Sequence, residues 1–171
     1  MEFFQVIDKR HSMRRYTDAP IEEEKLQQIL ATINRAPSAG NLQGYEVYIV
    51  RKVEQRLALV QAAGGQEFIT EAPVTLIFCA NPDRSAVWYK KRGVKLYSVQ
   101  DATIACTFAM LAATALGLAT VWVGAFDEKA VRSVVDIPAE LMPVALLPIG
   151  YAAKEPRITP RRELTDIIHE T

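Results

Sequence analysis

The chain has 171 residues, 50% of them hydrophobic, with 20 basic and 20 acidic side chains and a formal net charge of zero. That length supports one domain with a sizeable core rather than two, and the charge balance offers no overall field for nucleic acid or an anionic membrane. Cys79 and Cys106 each lie inside an apolar run, which predicts buried, reduced thiols and no disulfide framework.

The opening MEFFQVIDKRHSMRRY starts with an acid and an amphipathic pattern, so no secretory signal is read there and the expected location is the cytoplasm. A first helix is predicted over 2–11, and Lys9, Arg10, His11, Ser12, Arg14 and Arg15 crowd its end. Arginine gives planar, multi-donor recognition of an anion and Ser12 adds a hydroxyl, although cations also suit a helix C-terminus for its own sake. No aromatics interleave with this run, which argues against nucleic acid.

A second helix is predicted over 22–35, followed by the turn Ala36-Pro37-Ser38-Ala39-Gly40-Asn41-Leu42-Gln43. Small side chains there would let a flat ligand lie against the backbone, with Ser38, Asn41 and Gln43 as hydrogen-bonding groups. The same composition also suits an ordinary helix-to-strand connection. Strands over 45–50, 74–80, 120–123 and 144–149 and helices over 53–63 and 127–135 follow from short apolar runs and their flanking residues.

No charge occurs between Asp101 and Asp127, a length that would cross a bilayer, but the stretch is rich in alanine and threonine and Gly117 and Gly124 divide it. A buried helix over 99–116 is the expectation, with Ser98 and Asp101 as a capping box and Gly117 as its left-handed terminator. Ala102, Ala105, Ala109, Ala112 and Leu116 follow helical spacing and predict a face small enough for close approach by a second subunit, a packing role inside one domain being the other reading. The tail YAAKEPRITPRRELTDIIHET has too little apolar surface to pack by itself and is expected to lie across something else.

Several chemistries lack their residues. Neither G-x-x-x-x-G-K-[ST] nor G-x-G-x-x-G occurs, His11 and His169 make no metal-ligand set with the two cysteines, and no G-x-S-x-G elbow is present. An enzyme of this composition would draw its chemistry from a cofactor.

RHSMRRY at 10–16, APSAGNLQ at 36–43, QDATIACTFAMLAATALGLATVWVGAF at 100–126 and LLPIGY at 146–151 resemble, in order and spacing, the nitroreductase family of FMN enzymes. The resemblance spans nearly the whole chain. It implies an α+β fold with a small, mostly antiparallel sheet flanked by helices, in an intertwined homodimer with FMN at the interface. It also implies an oxidoreductase passing hydride from NADH or NADPH through FMN to a nitroaromatic, quinone or similar planar acceptor, with no metal and no membrane partner.

Carried over by motif, the resemblance puts Arg10, His11, Ser12 and Arg14 around the flavin's phosphate, ribityl chain and pyrimidine edge. A cation such as Arg14 near N1 would stabilise the anionic reduced flavin. Pro37, Ser38, Ala39, Asn41 and Gln43 would reach the same flavin from the second subunit, and Trp122, Val123, Gly124 and Ala125 would lie along the ring. Arg161 or Arg162, with Arg162 favoured, matches the family's late phosphate-binding residue.

The chain also departs from that pattern. Gly44 and Tyr45 stand where proline and tryptophan are common, which predicts a more mobile loop, and the lysine that often adds a second flavin contact is missing, with Gln66 as its substitute. Residues 82–96 alone remain to cover the site, with Trp88, Tyr89, Lys90, Lys91 and Arg92 either a lid that attracts an anionic dinucleotide or a solvated loop. A specialised flavin-fold enzyme (enoate reduction, dehalogenation, flavin breakdown) and a flavin-binding sensor without efficient turnover are the alternative functions.

Overall fold

A computed structural model describes residues 1–171. In chain order the elements are α1 (Phe3–Lys9), α2 (Glu23–Ile33), β1 (Tyr45–Val50), α3 (Val53–Ala62), α4 (Phe68–Glu71), β2 (Val74–Ala80), α5 (Pro82–Arg92), α6 (Ser98–Ala115), β3 (Ala119–Thr120), α7 (Glu128–Val134) and β4 (Met142–Gly150). The strands form one antiparallel sheet in the order β1-β2-β4-β3.

All seven residues of β2 are buried because helices cover both faces of the sheet, so its sequence VTLIFCA runs apolar without alternation. Alternate side chains still part company. Leu76 and Phe78 join Leu147 and Ile149 in a core closed by α2 and α6, whereas Ile77 and Cys79 join Leu146 and Val123 in a core closed by α3 and α7. Cys79 and Cys106 therefore occupy different cores, and burial pushes the Cys79 thiol up to about 12.

Helix α6 corrects two expectations. Ala102, Ala105 and Ala109 are fully buried in their own chain, packed with Leu26, Ile29 and the sheet, so the alanine stripe does not form an intersubunit face. Small side chains there let α6 lie close to α2 and β2. The face left open carries Gln100, Thr107 and Ala115, with Ile104, Phe108 and Leu111 half-buried beside them. The Ser98–Asp101 capping box is also absent, because α6 continues directly from α5 through a π-helical turn, Gly93–Tyr97, and the Ser98 hydroxyl donates back to the Val94 carbonyl at 3.2 Å. Together Pro82–Ala115 make 34 residues that are by length and composition enough to cross a bilayer, but here the apolar side is taken up by the sheet.

Residues 82–96 are thus helical rather than a loop. Asn81 caps α5 by accepting the Arg84 N–H at 3.0 Å and Pro82 occupies the first turn, both ordinary helix-start signals. Strand β3 is shorter than expected, its continuation reduced to a single bridge between Val123 and Leu146. Gly117 ends α6 with φ 77°, as its position predicted.

Candidate functional site

The chain's two terminal segments leave the sheet side by side. Ser12 bridges Thr120 in parallel, with the Met13 N–H donating to the Thr120 carbonyl at 2.9 Å, and Tyr16 bridges Ala152. Glu71 holds the turn between them. One of its oxygens accepts the Tyr16 N–H at 2.9 Å and the other pairs with Arg15 at 3.2 Å. The Tyr16 ring is buried and its hydroxyl donates to the Met13 carbonyl at 2.8 Å, and burial drives its ionisation well above the usual phenol range.

With Arg15 occupied by Glu71, Arg10 and Arg14 remain. They line a polar cleft of about 280 Å³ with His11, Ser12, Arg157, Thr159 and Arg161. No carboxylate residue lines this cleft, to which four arginines contribute, and Asp8 lines the adjoining cleft that shares Arg10, His11, Thr159 and Arg161. The side chain of Arg161 is steadied by Thr159, at 3.2 Å from its hydroxyl. Arg162, the favoured residue from sequence, lies outside the cleft and donates to the Asp166 carbonyl instead. Arg157 was not singled out from sequence, where it is one basic residue in a polar tail.

The loop after α2 is ordered by its own polar groups. Ser38 Oγ accepts the Gln43 N–H at 2.9 Å, the Gln43 amide donates to Asn41 Oδ1 at 2.6 Å, and Gly40, Asn41 and Gln43 all have positive φ. The buried carboxylate of Asp101 reaches in from α6 and accepts the Ala39 N–H at 2.9 Å and the Gly44 N–H at 3.2 Å. The Gly44 carbonyl in turn accepts from Asn81 at 2.8 Å. Gly44, which replaces the family's proline, thus ties the loop to Asp101 and Asn81 through its own backbone. A Cβ at that position would lie 2.1 Å from Ser85 Oγ, so a larger residue there requires the Ser85 side chain to move. Tyr45 is buried with its hydroxyl on the Ile33 carbonyl at 2.9 Å. Pro37, Ser38 and Ala39 line a cavity of about 490 Å³ with Tyr97, Asp101 and the open face of α6, Gln100 and Ile104 included.

Beside the arginine cleft, Val123 is buried and exchanges two backbone bonds with Leu146, at 3.0 and 2.9 Å. Trp122 is half-buried, and Gly124 and Ala125 are exposed. The Gln66 amide donates to the Ala63 and Ala125 carbonyls at 3.0 and 3.3 Å, which places the substitute inferred from sequence directly against this strand.

Two half-sites result. Ser12 of the arginine cleft bridges Thr120, two residues before the 122–125 segment, whereas Pro37, Ser38 and Ala39 line a different cavity that shares no residue with the cleft.

Comparison with known proteins gives a consistent picture. The Nitroreductase family matches residues 7–66 and 53–151. The chain is 33% identical over 174 residues to the FMN reductase [NAD(P)H] of Bacillus subtilis, covering 92% of this chain and 70% of that protein. It is 26% identical to the oxygen-insensitive NADPH nitroreductase of Salmonella typhimurium, covering 93% and 69%. Among solved structures, B. megaterium NfrA2 superposes with a TM-score of 0.91 at 29% identity, covering 99% of this chain and 74% of that one. The NADPH:FMN oxidoreductase of Vibrio harveyi, in complex with NAD+, superposes with a TM-score of 0.90 at 26% identity, covering 98% and 76%.

Proposed function

The chain belongs to the nitroreductase family, and from that premise we propose that it is an FMN-dependent oxidoreductase that takes hydride from NADH or NADPH and reduces a nitroaromatic, a quinone or a similar planar acceptor. The relatives' names carry the same cofactor and donors, as FMN reductase [NAD(P)H] and NADPH-flavin oxidoreductase. One observation carries the assignment to this chain's own residues. Arg10, Arg14, Arg157 and Arg161 share a cleft with the Ser12 hydroxyl and no acid, a donor set that fits a phosphate monoester of nearly two charges.

When bound, FMN supplies two-electron chemistry at its N5. The chain's part is to bind, orient and bias. Arg10, Ser12, Arg157 and Arg161 would hold the phosphate, and Arg14, which lines the same cleft, would add positive potential that favours the reduced, anionic form. Gly124 lets backbone approach the ring closely, while Gln66 fixes the Ala125 carbonyl and with it the direction of that segment. Pro37, Ser38 and Ala39, which line a cavity apart from the arginine cleft, would cover the ring from a second copy of the chain together with Asn41 of the same loop. A homodimer with two composite sites follows, and buried, reduced cysteines suit a cytoplasmic setting.

The test is reconstitution followed by rapid mixing. One FMN per chain, a preference for FMN over riboflavin, and bleaching of the yellow protein by NADH or NADPH are expected. A yellow protein that neither nucleotide bleaches would be a binding module instead, and equal affinity for riboflavin would remove the arginine cleft from the phosphate.

A further inference from the structure

Residues 82–97 carry five cations, Arg84, Lys90, Lys91, Arg92 and Lys95, against one acid, Asp83, in a chain of zero net charge. None of the five enters an ion pair with a carboxylate. Two of them are fixed by neutral partners that locate the cluster. Arg84 Nε donates to the Leu42 carbonyl in the polar loop, and Arg92 Nε donates to the Tyr97 hydroxyl at 2.8 Å with its guanidinium 5.3 Å from that ring's centre. Tyr97 lines the cavity floored by Pro37, Ser38 and Ala39, so Arg92 stands beside that cavity, with Lys90, Lys91 and Lys95 close to it in the chain. Lys90, Lys91 and Lys95 are exposed.

Lys90 adds an independent sign. Its φ of 48° and ψ of −132° break the helix in a region that glycine adopts freely and that L-residues adopt only under strain. A lysine at such a position points to use of its charge. Trp88, 63% exposed, stands beside Gly40, whose added Cβ would lie 2.7 Å from the indole, so an aromatic face borders the same rim.

We propose that this rim binds the 2′-phosphate of NADPH and makes the protein discriminate NADPH from NADH, an inference that rests on the oxidoreductase reading above. The two donors differ only in that phosphomonoester, which carries close to two charges near neutrality. Lysines on flexible stems suit a phosphate at a solvent-exposed edge, whereas the arginines of the other cleft suit one held in fixed geometry. The two sets of cations are separate, since none of Arg84, Lys90, Lys91, Arg92 and Lys95 lines the arginine cleft.

The FMN-loaded protein is titrated calorimetrically with 2′,5′-ADP and with 5′-AMP, which differ by the phosphate in question. Tighter binding of 2′,5′-ADP by about tenfold is expected, the advantage of one charge-assisted phosphate contact. The triple variant Lys90→Gln, Lys91→Gln, Lys95→Gln should lose that advantage and lower the NADPH-to-NADH ratio of kcat/KM by about tenfold, chiefly through KM for NADPH. Lys90→Gly should weaken 2′,5′-ADP in a protein whose unfolding midpoint rises, which excludes damage to the fold as the cause. Equal affinity for the two nucleotides, or an advantage untouched by the triple change, overturns the proposal. If 2′,5′-ADP is favoured through the lysines while neither dinucleotide bleaches the flavin, the anion site stands and the oxidoreductase reading falls.

Discussion

Asp101 and Gly44 meet across 57 positions of sequence, the carboxylate accepting the Gly44 N–H at 3.2 Å while its other oxygen accepts the Ala39 N–H at 2.9 Å. One buried anion therefore fixes both ends of the polar loop to the start of α6. Asp101→Asn would set an amide N–H₂ against one of two backbone donors. A loss of about 1.5–3 kcal/mol in unfolding free energy is expected, the range for a hydrogen bond to a charged group, together with weaker FMN retention. Denaturant titration of the apo-protein reads the first, and unchanged stability would mean that the loop holds itself.

A side chain added at Gly44 would meet Ser85, whose buried hydroxyl has no hydrogen-bond partner. Gly44→Ala should cost about 1–3 kcal/mol through overpacking. Removing the obstructing oxygen should return most of it. The double variant Gly44→Ala, Ser85→Ala is expected to be more stable than Gly44→Ala alone, and simple additivity in that cycle would show that the cost lies in the backbone instead.

How far such relationships can be read from sequence depends on what carries them. Helices α2, α3 and α7 and strands β1 and β2 were legible to within a residue or two, because each has its own apolar pattern and flanking signals. Helix α5 was not, since its only fully buried side chain is Ser85 and its charged end reads as a loop, although Asn81-Pro82 announced its start. The direction of α6 was illegible for a different reason. A helix apolar all round offers no periodicity to say which face meets the sheet. Asp101 was visible as an acid at the head of an apolar run, but its partners are backbone N–H groups, which every residue supplies alike. Arg157 gains meaning only from the seam joining residues 15–17 to 151–153.

That seam sets the expected order among the tail arginines. Arg157→Ala and Arg161→Ala should each weaken FMN by about 1.5–3 kcal/mol and leave riboflavin affinity nearly unchanged. Arg162→Ala should have little effect, its guanidinium being directed at Asp166. Fluorescence titration with both flavins compares the three, and a larger loss at Arg162 than at Arg161 would reverse the assignment.

Shared sites make a stoichiometric forecast. Arg14→Glu and Asn41→Arg, each inactive alone, are mixed and refolded in equal amounts, so that half the dimers are mixed and one site in each escapes both lesions. Activity of about one quarter of wild type is expected. No recovery, with dimers confirmed by light scattering, would show that every site is built within a single chain.

Glu22 gives the stability a named pH-dependent contribution. The Tyr151 hydroxyl donates to it at 2.6 Å and the Lys25 ammonium at 3.1 Å, and these bonds, the Tyr151 one foremost, hold its carboxyl down to about 2. A carboxyl depressed on folding stabilises fully above its unfolded value of 4.5 and loses that contribution as pH falls toward about 2. Tyr151→Phe should therefore lose stability relative to wild type at pH 6, and the gap should close progressively on acidification. A gap that persists at pH 2 would assign the effect to packing of the ring rather than to the carboxylate.

The pairing of Tyr16 with Ala152 has a consequence for biogenesis. Arg10 is synthesised before any strand of the sheet, and Arg157 and Arg161 only after β4 has been completed. During translation the early arginines have nothing to converge with, and the cleft is assembled when β4 docks against β2 and carries residues 151–153 alongside residues 15–17. Capture of a phosphorylated cofactor is thereby deferred until the sheet is whole, so a nascent chain arrested before β4 exposes positive charge on the ribosome without the geometry to retain a ligand.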